Sequence, residues 1–569
     1  MNSQNQRRIR LEEEFETNAA NPPKKWIRGV NLGGWLLAEQ FITPYLFAVN
    51  SCHVQGDLCW YPGQIGAPED NDNWCDPEKC RPVQKFVQED GNADYHPKGA
   101  EPYLGYPMDE MTLGQTFDRK DIAHEYMERH WDTFLNKQHL IDLKEAGVTH
   151  LRVPMGFWVR GNVQDGEPFI GGSWPYFARM VDWCREIGLE VWADLHGAPG
   201  SQNGFDNSGY LLEPHTCMGW SDRAENVART VEILRDIVVN GIVGEGMTDV
   251  VTGVGLLNEP MLDCDQDVLR QYYNDGLEIV RNAMGKDTSV FVGDMFQSWR
   301  FNDGFWDDEP NTFLDTHQYH VFFEMGRAFT PRQHIAYLCR HNSEEVVACC
   351  YEDAPNNTIP TVNGIQKIVG EWTGAYDQLP TAVAPYVMEV IGETGVAPML
   401  NRTLSRARMR FLENFVKAQM VVYEAKEDTV SHGWFFWNFH MEGGAYAEWD
   451  FLRGVKEGWM PKLPPPTVAS EDLFGSCLDI YNRTNNDYST TIDEYPDPSD
   501  LDWTKNQGWD ATDDFVLDDP SAPERLYGPI EPNHRNVSPW LFIVAVVATG
   551  LWFSYRRRSM RRQDYESLK

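Results

Sequence analysis

Two glutamates close apolar segments of this sequence, where a charged side chain needs a partner or a function. Glu259 follows the run VTGVGLL in the segment LLNEP, and Glu371 ends the run KIVGEW. A carboxylate buried alone costs free energy. Two carboxyl groups that face each other over a cleft can hydrolyse a glycosidic bond, because one protonates the leaving oxygen while the other attacks or activates water. The pair predicts chemistry of this kind.

Further polar residues stand near the ends of other apolar runs. Arg152 lies in LRVP, His196 in ADLHG and Asn258 beside Glu259, while His317 and Tyr319 lie in DTHQYHVF and Trp437 in FFWNF. Any one of them could be structural, as a salt bridge or as packing. Their shared position is hard to explain in that way, and it predicts one site assembled from several strands.

The elements that must carry these residues read as an α/β fold. The apolar runs are nearly continuous, as is typical of strands buried on both faces. They span 27–32, 149–155, 189–195, 251–257, 288–294, 312–320, 367–372 and 430–437. Amphipathic stretches between them predict helices, including 121–147 with Gly147 as its C-cap, 223–241 and 405–425.

Eight strands alternating with helices predict a (β/α)8 TIM barrel over residues 26–463. The fourth and seventh strands lie across the mouth of such a barrel, so Glu259 and Glu371 can face each other. Two inserts, about 48–116 and 324–364, follow the first and sixth strands. Both should rise above the C-terminal face, where barrel enzymes build their sites.

Composition excludes several classes of function. The chain of 569 residues has a net charge of −37, which argues against a nucleic-acid surface. Hydrophobic residues make up 42%, enough for a sizeable core. The 21 Trp fit either core filling or stacking against sugar rings. No HExxH, P-loop or dinucleotide-binding glycine motif is present, so we expect no metal or organic cofactor.

The C-terminal region divides by charge and predicts a membrane anchor. Residues 464–535 read as an acidic stalk, 536–555 as an uncharged transmembrane helix and 556–569 as a basic cytoplasmic tail. We therefore expect a monomer anchored by a single pass, with its catalytic domain at the cell surface. The polar extension 1–25 contains no apolar signal-peptide core, which leaves a tail-anchored protein with a cytosolic body open.

Sequons and cysteines agree with the outward-facing alternative. Sequons occur at Asn356, Asn401, Asn482 and Asn536. A group of cysteines, which favours disulfides over a zinc site because the spacing is irregular, comprises Cys52, Cys59, Cys75 and Cys80.

Seven segments, in this order, make the sequence resemble glycoside hydrolase family 5, and in particular the fungal-type exo-β-1,3-glucanases. They are RGVNLGGWLLAEQFITPYLF, LRVPMGFW, DLHGAPGSQNGFDNSG, GLLNEP, DTHQYHVF, VGEWTGA and GWFFWNF. The resemblance runs from about residue 26 to about residue 461. NEP alone is a weak motif, whereas the long glycine-containing blocks are specific.

The resemblance implies a retaining double displacement, with Glu259 as acid/base and Glu371 as nucleophile. Arg152 and Tyr319 can hydrogen-bond Glu371, and His317 can orient Glu259. Asn258 can hold the sugar 2-hydroxyl. The implied substrate-binding residues are Glu39, His196, Asp206 and Asn207 for hydroxyl groups, Trp437 as the floor of the pocket, and Phe205 with Phe322 as an aromatic clamp.

Departures from the family pattern leave the substrate open. The loop FHMEGGAYAEW lacks the Lys-Thr-Glu run common in this branch, and the insert 48–116 is unlike that of the fungal enzymes. The leading expectation is release of glucose from β-1,3-glucan ends. Alternatives are another β-glucan, a lipid-linked glucoside, or a glucan-binding wall protein on an inactive barrel. By resemblance, Cys339 and Cys477 pair and tie the end of the chain to the barrel.

Overall fold

The computed structural model describes most of residues 25–484 and one short segment beyond them. All of these residues belong to the compact unit Met1–Ser521. The described ranges are 25–47, 109–115, 117, 120–212, 215–301, 303–322, 329–340, 365–376, 401–404, 406–424, 432–442, 446–484 and 514–516.

Eight parallel strands close into a barrel, as predicted. The barrel strands are β1 (Ile27–Asn31), β2 (His150–Gly156), β3 (Glu190–Gly197), β4 (Val251–Gly255), β5 (Ser289–Gly293), β6 (Thr312–Gln318), β7 (Gln366–Trp372) and β9 (Gly433–Phe436). Closure comes from β1, which pairs in parallel with both β2 and β9. Two short antiparallel strands, β8 (Asn401–Thr403) and β10 (Asp514–Val516), form a separate ribbon.

Helices occupy the segments between the strands. The α-helices are Pro44–Phe47, Glu110–Gln115, Lys120–Thr133, Lys137–Ala146, Trp174–Ile187, Met218–Ser221, Ala224–Arg235, Gln266–Met284, Pro331–Arg340, Arg406–Tyr423, Phe451–Glu457, Ser470–Phe474 and Cys477–Arg483. A π-helix spans Asp236–Val243, and 3₁₀ turns span Asp206–Ser208, Ser298–Phe301 and Ala447–Trp449.

Two of the predicted helices differ from the structure in their continuity. The segment 121–147 forms two helices, because the extended Asn136 begins a second one and its side chain accepts a hydrogen bond from the backbone N–H of His139. Gly147 does end that helix, with the left-handed φ of 103° that favours glycine. The segment 223–241 changes from an α-helix to a π-helix at Asp236.

The interior of the barrel is filled in layers that follow the two-residue period of its strands. The lower layer is apolar and consists of Trp192, Phe291, Phe313, Ile368 and Phe435. The indole of Trp192 stacks on Phe291, with ring centroids 5.0 Å apart. This plug excludes water beneath the polar residues nearer the C-terminal ends of the strands.

The beginning of the predicted stalk is folded onto the barrel, so the expected boundary at residue 464 differs from the structure. The buried guanidinium of Arg28 donates to the carbonyls of Pro465 at 3.0 Å and Val468 at 2.6 Å. Two short helices follow, and the predicted disulfide Cys339–Cys477 joins the second of them to the helix Pro331–Arg340. Residues 464–484 are therefore folded onto the barrel and do not form the extended stalk that was predicted.

The insert predicted at 324–364 contains that helix, Pro331–Arg340, and the insert predicted at 48–116 ends in the helix Glu110–Gln115. Outside the described residues lie 1–24, the other parts of both inserts, including the four clustered cysteines of the first insert, residues 485–513 of the predicted stalk, and 517–569 with the predicted transmembrane segment 536–555. Within the described ranges, no helix combines the length and the apolar character needed to cross a bilayer.

Candidate active site

The two predicted carboxyl groups meet at the C-terminal end of the barrel. Glu371 is the sixth residue of β7, and Glu259 follows β4 by four residues. An oxygen of Glu259, an oxygen of Glu371 and a ring nitrogen of His317 all lie within 4.8 Å of one another. Both glutamates are largely withdrawn from solvent, with 10% of the Glu259 side chain and 4% of the Glu371 side chain exposed.

The backbone at Glu259 has an unusual conformation that aims its side chain. Its φ of 43° is in the left-handed region, which costs a non-glycine residue of order 1–3 kcal/mol. The amide of Gln202 supports this turn by donating to the carbonyls of Asn258 at 2.8 Å and His196 at 2.7 Å. Gly293 of β5 leaves room for Pro260, the residue after Glu259, since a Cβ at Gly293 would lie 2.6 Å from Cδ of Pro260.

All four carboxylate oxygens of the pair have hydrogen-bond partners. Glu371 accepts from Arg152 Nη1 at 2.8 Å through Oε1 and from the Tyr319 hydroxyl at 2.7 Å through Oε2. Glu259 shares a hydrogen bond of 2.6 Å with His317 Nδ1 through Oε1 and accepts from Asn207 Nδ2 at 2.8 Å through Oε2. The two glutamates therefore have different environments: a cation and a phenol at Glu371, an imidazole and an amide at Glu259.

Arg152 is the electrostatic centre of the site. Its guanidinium is completely buried and lies 3.1 Å from Asp194 and 3.6 Å from Asp315, in addition to its bond to Glu371. It also donates to Asn258 Oδ1 at 2.6 Å. A buried cation is tolerated when several anionic and neutral acceptors surround it, and this arrangement fixes the orientation of Glu371 and Asn258 together.

The sequence reasoning missed Asp194 and Asp315, although a signal was present. On β3 and on β6 an aromatic residue, an aspartate and a histidine alternate with a period of two, which places all three on one face of each strand. The two series are Trp192, Asp194 and His196 on β3, and Phe313, Asp315 and His317 on β6. Each aspartate reaches its histidine, at 2.7 Å for His196 and 3.5 Å for His317.

His196 lies between Asp194 and the indole of Trp437. Its Nε2 lies 3.2 Å from Asn258 Nδ2, and its ring is nearly parallel to the indole of Trp437, with centroids 5.7 Å apart. A Cβ at Gly33 would lie 2.6 Å from the same indole, so glycine permits the turn after β1 to approach it.

A buried acidic region lies beside the pair. Burial, followed by the charges of Asp206, Glu371 and Glu259, raises the pKa of Glu39 well above its usual value. Glu39 is only 2% exposed, and its Oε1 has no hydrogen-bond partner among the described residues. Burial, together with the charge of Asp109, raises the pKa of Asp206 to about 6. An unpaired buried acceptor suits the hydroxyl group of a ligand.

The two predicted clamp residues lie in different surroundings. Phe205 packs edge-on against His215, with centroids 4.6 Å apart, and Phe322 packs against Tyr319 at 5.4 Å. Phe322 is 48% exposed, so its ring offers a free apolar surface. Trp449, which the sequence analysis did not select, stacks on Tyr319 with centroids 5.4 Å apart and extends the aromatic surface around Phe322.

The protonation of the cluster follows from its charges. Burial raises the pKa of Glu371, and the charges of His317 and Arg152 offset this only in part. Burial would also raise the pKa of Glu259, but the charge and hydrogen bond of His317 outweigh it and lower the pKa to about 2. Burial lowers the pKa of His317, yet the carboxylates of Glu371, Asp315 and Glu259 raise it well above its usual value. The free site therefore stores a proton on His317, one hydrogen bond from Glu259.

Glu259, His317 and Glu371 also have the composition of a small metal site. Their carboxylate oxygens are, however, already engaged with Arg152, Tyr319, His317 and Asn207. A metal ion would have to displace these donors and would lie close to the Arg152 cation, so the donor set fits acid–base chemistry better.

No protein-family model matches the chain. A glucan 1,3-beta-glucosidase from Candida oleophila is 29% identical over 452 residues, which cover 77% of this chain and 88% of that protein. A probable glucan 1,3-beta-glucosidase from Arthroderma benhamiae is 29% identical over 490 residues, covering 81% of this chain and 95% of that protein. Among solved structures, a rutinosidase from Aspergillus niger matches with a TM-score of 0.50 and 15% identity over 77% of this chain and 98% of that one, a likeness of fold.

The fold, the paired carboxyl groups and these relatives together define the chain as a glycosidase. More particularly, it is similar over most of its length to the fungal glucan 1,3-beta-glucosidases, so the resemblance drawn from its sequence segments is confirmed.

Proposed function

We propose that this protein is a retaining β-glucosidase that releases glucose from the ends of β-1,3-glucan by double displacement. The observation that carries the proposal is the close approach of the two carboxyl groups, because one oxygen of Glu259 and one oxygen of Glu371 lie within 4.8 Å of each other, which fits the shorter of the two separations found in glycosidases. Retaining enzymes hold these groups roughly 5–5.5 Å apart, whereas inverting enzymes leave roughly 6.5–9.5 Å for a water molecule. Activity on β-glucan is supported by the similar proteins from Candida oleophila and Arthroderma benhamiae.

Glu371 is the proposed nucleophile. Its Oε1 is bound to the Arg152 cation and its Oε2 to the Tyr319 hydroxyl, two donors that favour the carboxylate form and fix its direction. In the first step an oxygen of Glu371 attacks the anomeric carbon, and the bond from that carbon to the leaving oxygen breaks. The product of this step is a glycosyl ester on Glu371.

Glu259 is the proposed acid and base. The leaving oxygen takes a proton from Glu259, which draws it from His317 along their 2.6 Å hydrogen bond. In the second step a water molecule gives a proton to Glu259 and attacks the anomeric carbon, which breaks the ester and frees Glu371. Two inversions at one carbon return the β-configuration.

The remaining residues bind the sugar in this proposal. Asn258, held by Arg152, can hydrogen-bond the 2-hydroxyl, an interaction that strengthens in the transition state. Trp437 can stack under the ring, and Phe322 can hold the next glucose. The other hydroxyl ligands are Glu39, His196, Asp206 and Asn207. The unpaired buried oxygen of Glu39 supports a pocket with one closed end, as release of single glucose units requires.

Two substitutions test the assignment of roles. Glu371→Gln should abolish turnover of every substrate, because the nucleophile is lost. Glu259→Ala should still form the glycosyl-enzyme from a substrate with a good leaving group, and added azide should restore its turnover with a β-glucosyl azide as product. An α-azide, or equal losses in both variants without rescue, would overturn the assignment.

A substrate comparison tests the specificity. Laminari-oligosaccharides, cello-oligosaccharides and glucosylceramide are supplied in parallel, and the products are sized. Glucose as the sole early product from laminari-oligosaccharides supports exo action on β-1,3-glucan. Preference for cello-oligosaccharides or for the lipid-linked glucoside would replace the substrate and keep the mechanism. Binding of glucan without turnover at pH 4–7 would establish a glucan-binding protein.

For the location, we propose a single-pass protein anchored by residues 536–555 with its barrel outside the cell. The uncharged length of that segment and the arginines after it support this topology. Membrane fractionation together with endoglycosidase treatment tests it. An unglycosylated protein with a protease-accessible body on the cytosolic side would establish the tail-anchored alternative.

A further inference from the structure

A disulfide that the sequence analysis did not predict joins the two loops that carry the proposed acid/base and its partner. Cys217 lies in the loop after β3 and Cys264 in the loop after β4, and their Cα atoms are 4.9 Å apart. Both side chains are buried, with 0% and 4% exposed. The bond crosses from one strand–helix connection of the barrel to the next, directly beside the candidate active site.

Hydrogen bonds reinforce the same junction. Asp263 Oδ1 accepts from the backbone N–H of Cys217 at 2.9 Å, and its Oδ2 accepts from the Thr216 hydroxyl at 2.7 Å. The backbone N–H of Cys264 donates to the carbonyl of Met261 at 3.0 Å and closes a turn before the disulfide. We call the four residues Thr216, Cys217, Asp263 and Cys264 the loop clasp.

The loop clasp lies close in the chain to groups that contact Glu259. Cys264 is five residues beyond Glu259, whose left-handed backbone is a conformation that its surroundings must maintain. On the other loop, Asn207 donates to Glu259 Oε2 at 2.8 Å. His215, two residues before Cys217, donates through Nδ1 to the carbonyl of Gly204 and packs against Phe205.

We propose that the loop clasp positions Glu259 relative to Asn207, so that it serves proton transfer at the glycosidic oxygen. The inference rests on the proposed function of Glu259. Clasp residues are positioning residues, because they act through the two loops and none is bonded to Glu259. Without the clasp the loops can separate, the Asn207–Glu259 bond lengthens, and the carboxyl group loses its aim.

This role has a kinetic signature that general destabilisation lacks. Proton transfer matters for a poor leaving group such as phenolate and hardly matters for 2,4-dinitrophenolate, which leaves without a proton. A misplacement of about 1 Å can lower a rate about 100-fold. Loss of the clasp should therefore lower kcat/KM for phenyl β-glucoside about 10- to 100-fold and change kcat/KM for the dinitrophenyl glucoside by less than about threefold.

The experiment compares three variants of the full chain on both substrates. Cys217→Ser/Cys264→Ser removes the disulfide, and Asp263→Ala removes both side-chain hydrogen bonds but keeps the disulfide. Cys339→Ser/Cys477→Ser is the matched control, because it removes the other described disulfide, which joins the helices Pro331–Arg340 and Cys477–Arg483.

Both clasp variants should lose activity selectively on the phenyl glucoside, in the pattern of Glu259→Ala, which removes the proposed acid itself. The control should keep the wild-type ratio of the two kcat/KM values even if its melting temperature falls. Equal losses on both substrates, or an unchanged ratio, would refute the inference. If the double serine variant does not fold, the ratio for Asp263→Ala decides.

Glu259→Ala separates failure of the inference from failure of the proposed function. If Glu259→Ala itself shows no preference for the activated substrate, the acid/base assignment is wrong and the clasp has no such role. If Glu259→Ala shows the preference and the clasp variants do not, only the inference about the clasp is wrong.

Discussion

Substitution of Tyr319 by phenylalanine removes a hydrogen bond to Glu371, the proposed nucleophile. The Tyr319 hydroxyl donates to Glu371 Oε2 at 2.7 Å in a buried setting. Burial and the nearby charge of Glu371 raise the pKa of Tyr319 well above its usual value, so the phenol keeps its proton and remains a donor at every working pH. Phenylalanine preserves the ring and removes this donor.

The size of the effect follows from the type of bond. A hydrogen bond to a charged group contributes about 1.5–3 kcal/mol, and 1.36 kcal/mol corresponds to one pKa unit. Loss of a donor that favours the carboxylate form should thus raise the pKa of Glu371 by about 1–2 units. Since the proposed nucleophile must be ionised, the acidic limb of the pH profile of kcat/KM should move to higher pH by that amount.

The assay is the pH dependence of kcat/KM for an aryl β-glucoside, measured for the wild type, Tyr319→Phe and Tyr272→Phe. Tyr272 is a matched control, because its buried hydroxyl donates at 2.6 Å to the carbonyl of Leu256 and to no catalytic carboxylate. The control should keep the wild-type limb even if it loses stability. An acidic limb of Tyr319→Phe within about 0.3 unit of wild type would refute the assignment of Glu371 as a nucleophile stabilised by this bond.

Two further predictions concern protonation. His317→Gln should move the basic limb of the pH profile of kcat/KM to lower pH. In the wild type the imidazolium of His317 stores the proton, whereas in the variant the carboxyl group of Glu259 must hold the proton alone. A basic limb that stays in place would contradict the shared proton. Burial raises the pKa of Glu110 to about 8 from 4.5, so the folded protein retains a proton that the unfolded chain releases between these values. The stability that this retained proton contributes is complete below pH 4.5 and is lost as the pH rises towards 8. The free energy of unfolding in urea should be the same for Glu110→Gln and the wild type at about pH 4. Above pH 4.5 the variant should become more stable than the wild type by up to about 1.4 kcal/mol per pH unit. Stability curves of the two proteins that stay parallel would exclude a buried neutral carboxyl group.

The strands, and most of the residues that meet at the candidate site, could be predicted because their signals are local. A run of apolar residues predicts a buried strand wherever it lies in the chain, and all eight predicted runs coincide with barrel strands. The polar residues that follow these runs meet for a topological reason: parallel strands of a closed barrel end at the same rim. Glu259 and Glu371 could therefore be placed opposite each other before any distance was known.

Other features could not be predicted, because they depend on contacts between distant segments. The helix predicted over 121–147 is interrupted at Asn136 by capping, which competes with an otherwise continuous amphipathic pattern. The segment after Pro464 is acidic and rich in proline, yet the buried guanidinium of Arg28 holds its carbonyls against the barrel. Composition indicates how a segment behaves alone, whereas the conformation of this segment depends on a cation more than 430 positions away in the chain.

What the sequence by itself determined is the barrel, the identity of the two carboxyl groups and the similarity to glucan 1,3-beta-glucosidases. Only the tertiary structure decided the separation of those groups, the pair Asp194 and Asp315 around Arg152, and the pairing of Cys217 with Cys264. The physical reason is that hydrophobic periodicity is repeated along a strand and can be read locally. A hydrogen bond, an ion pair or a disulfide depends on distances of a few ångströms between loops, and these are set by the packing of the whole barrel.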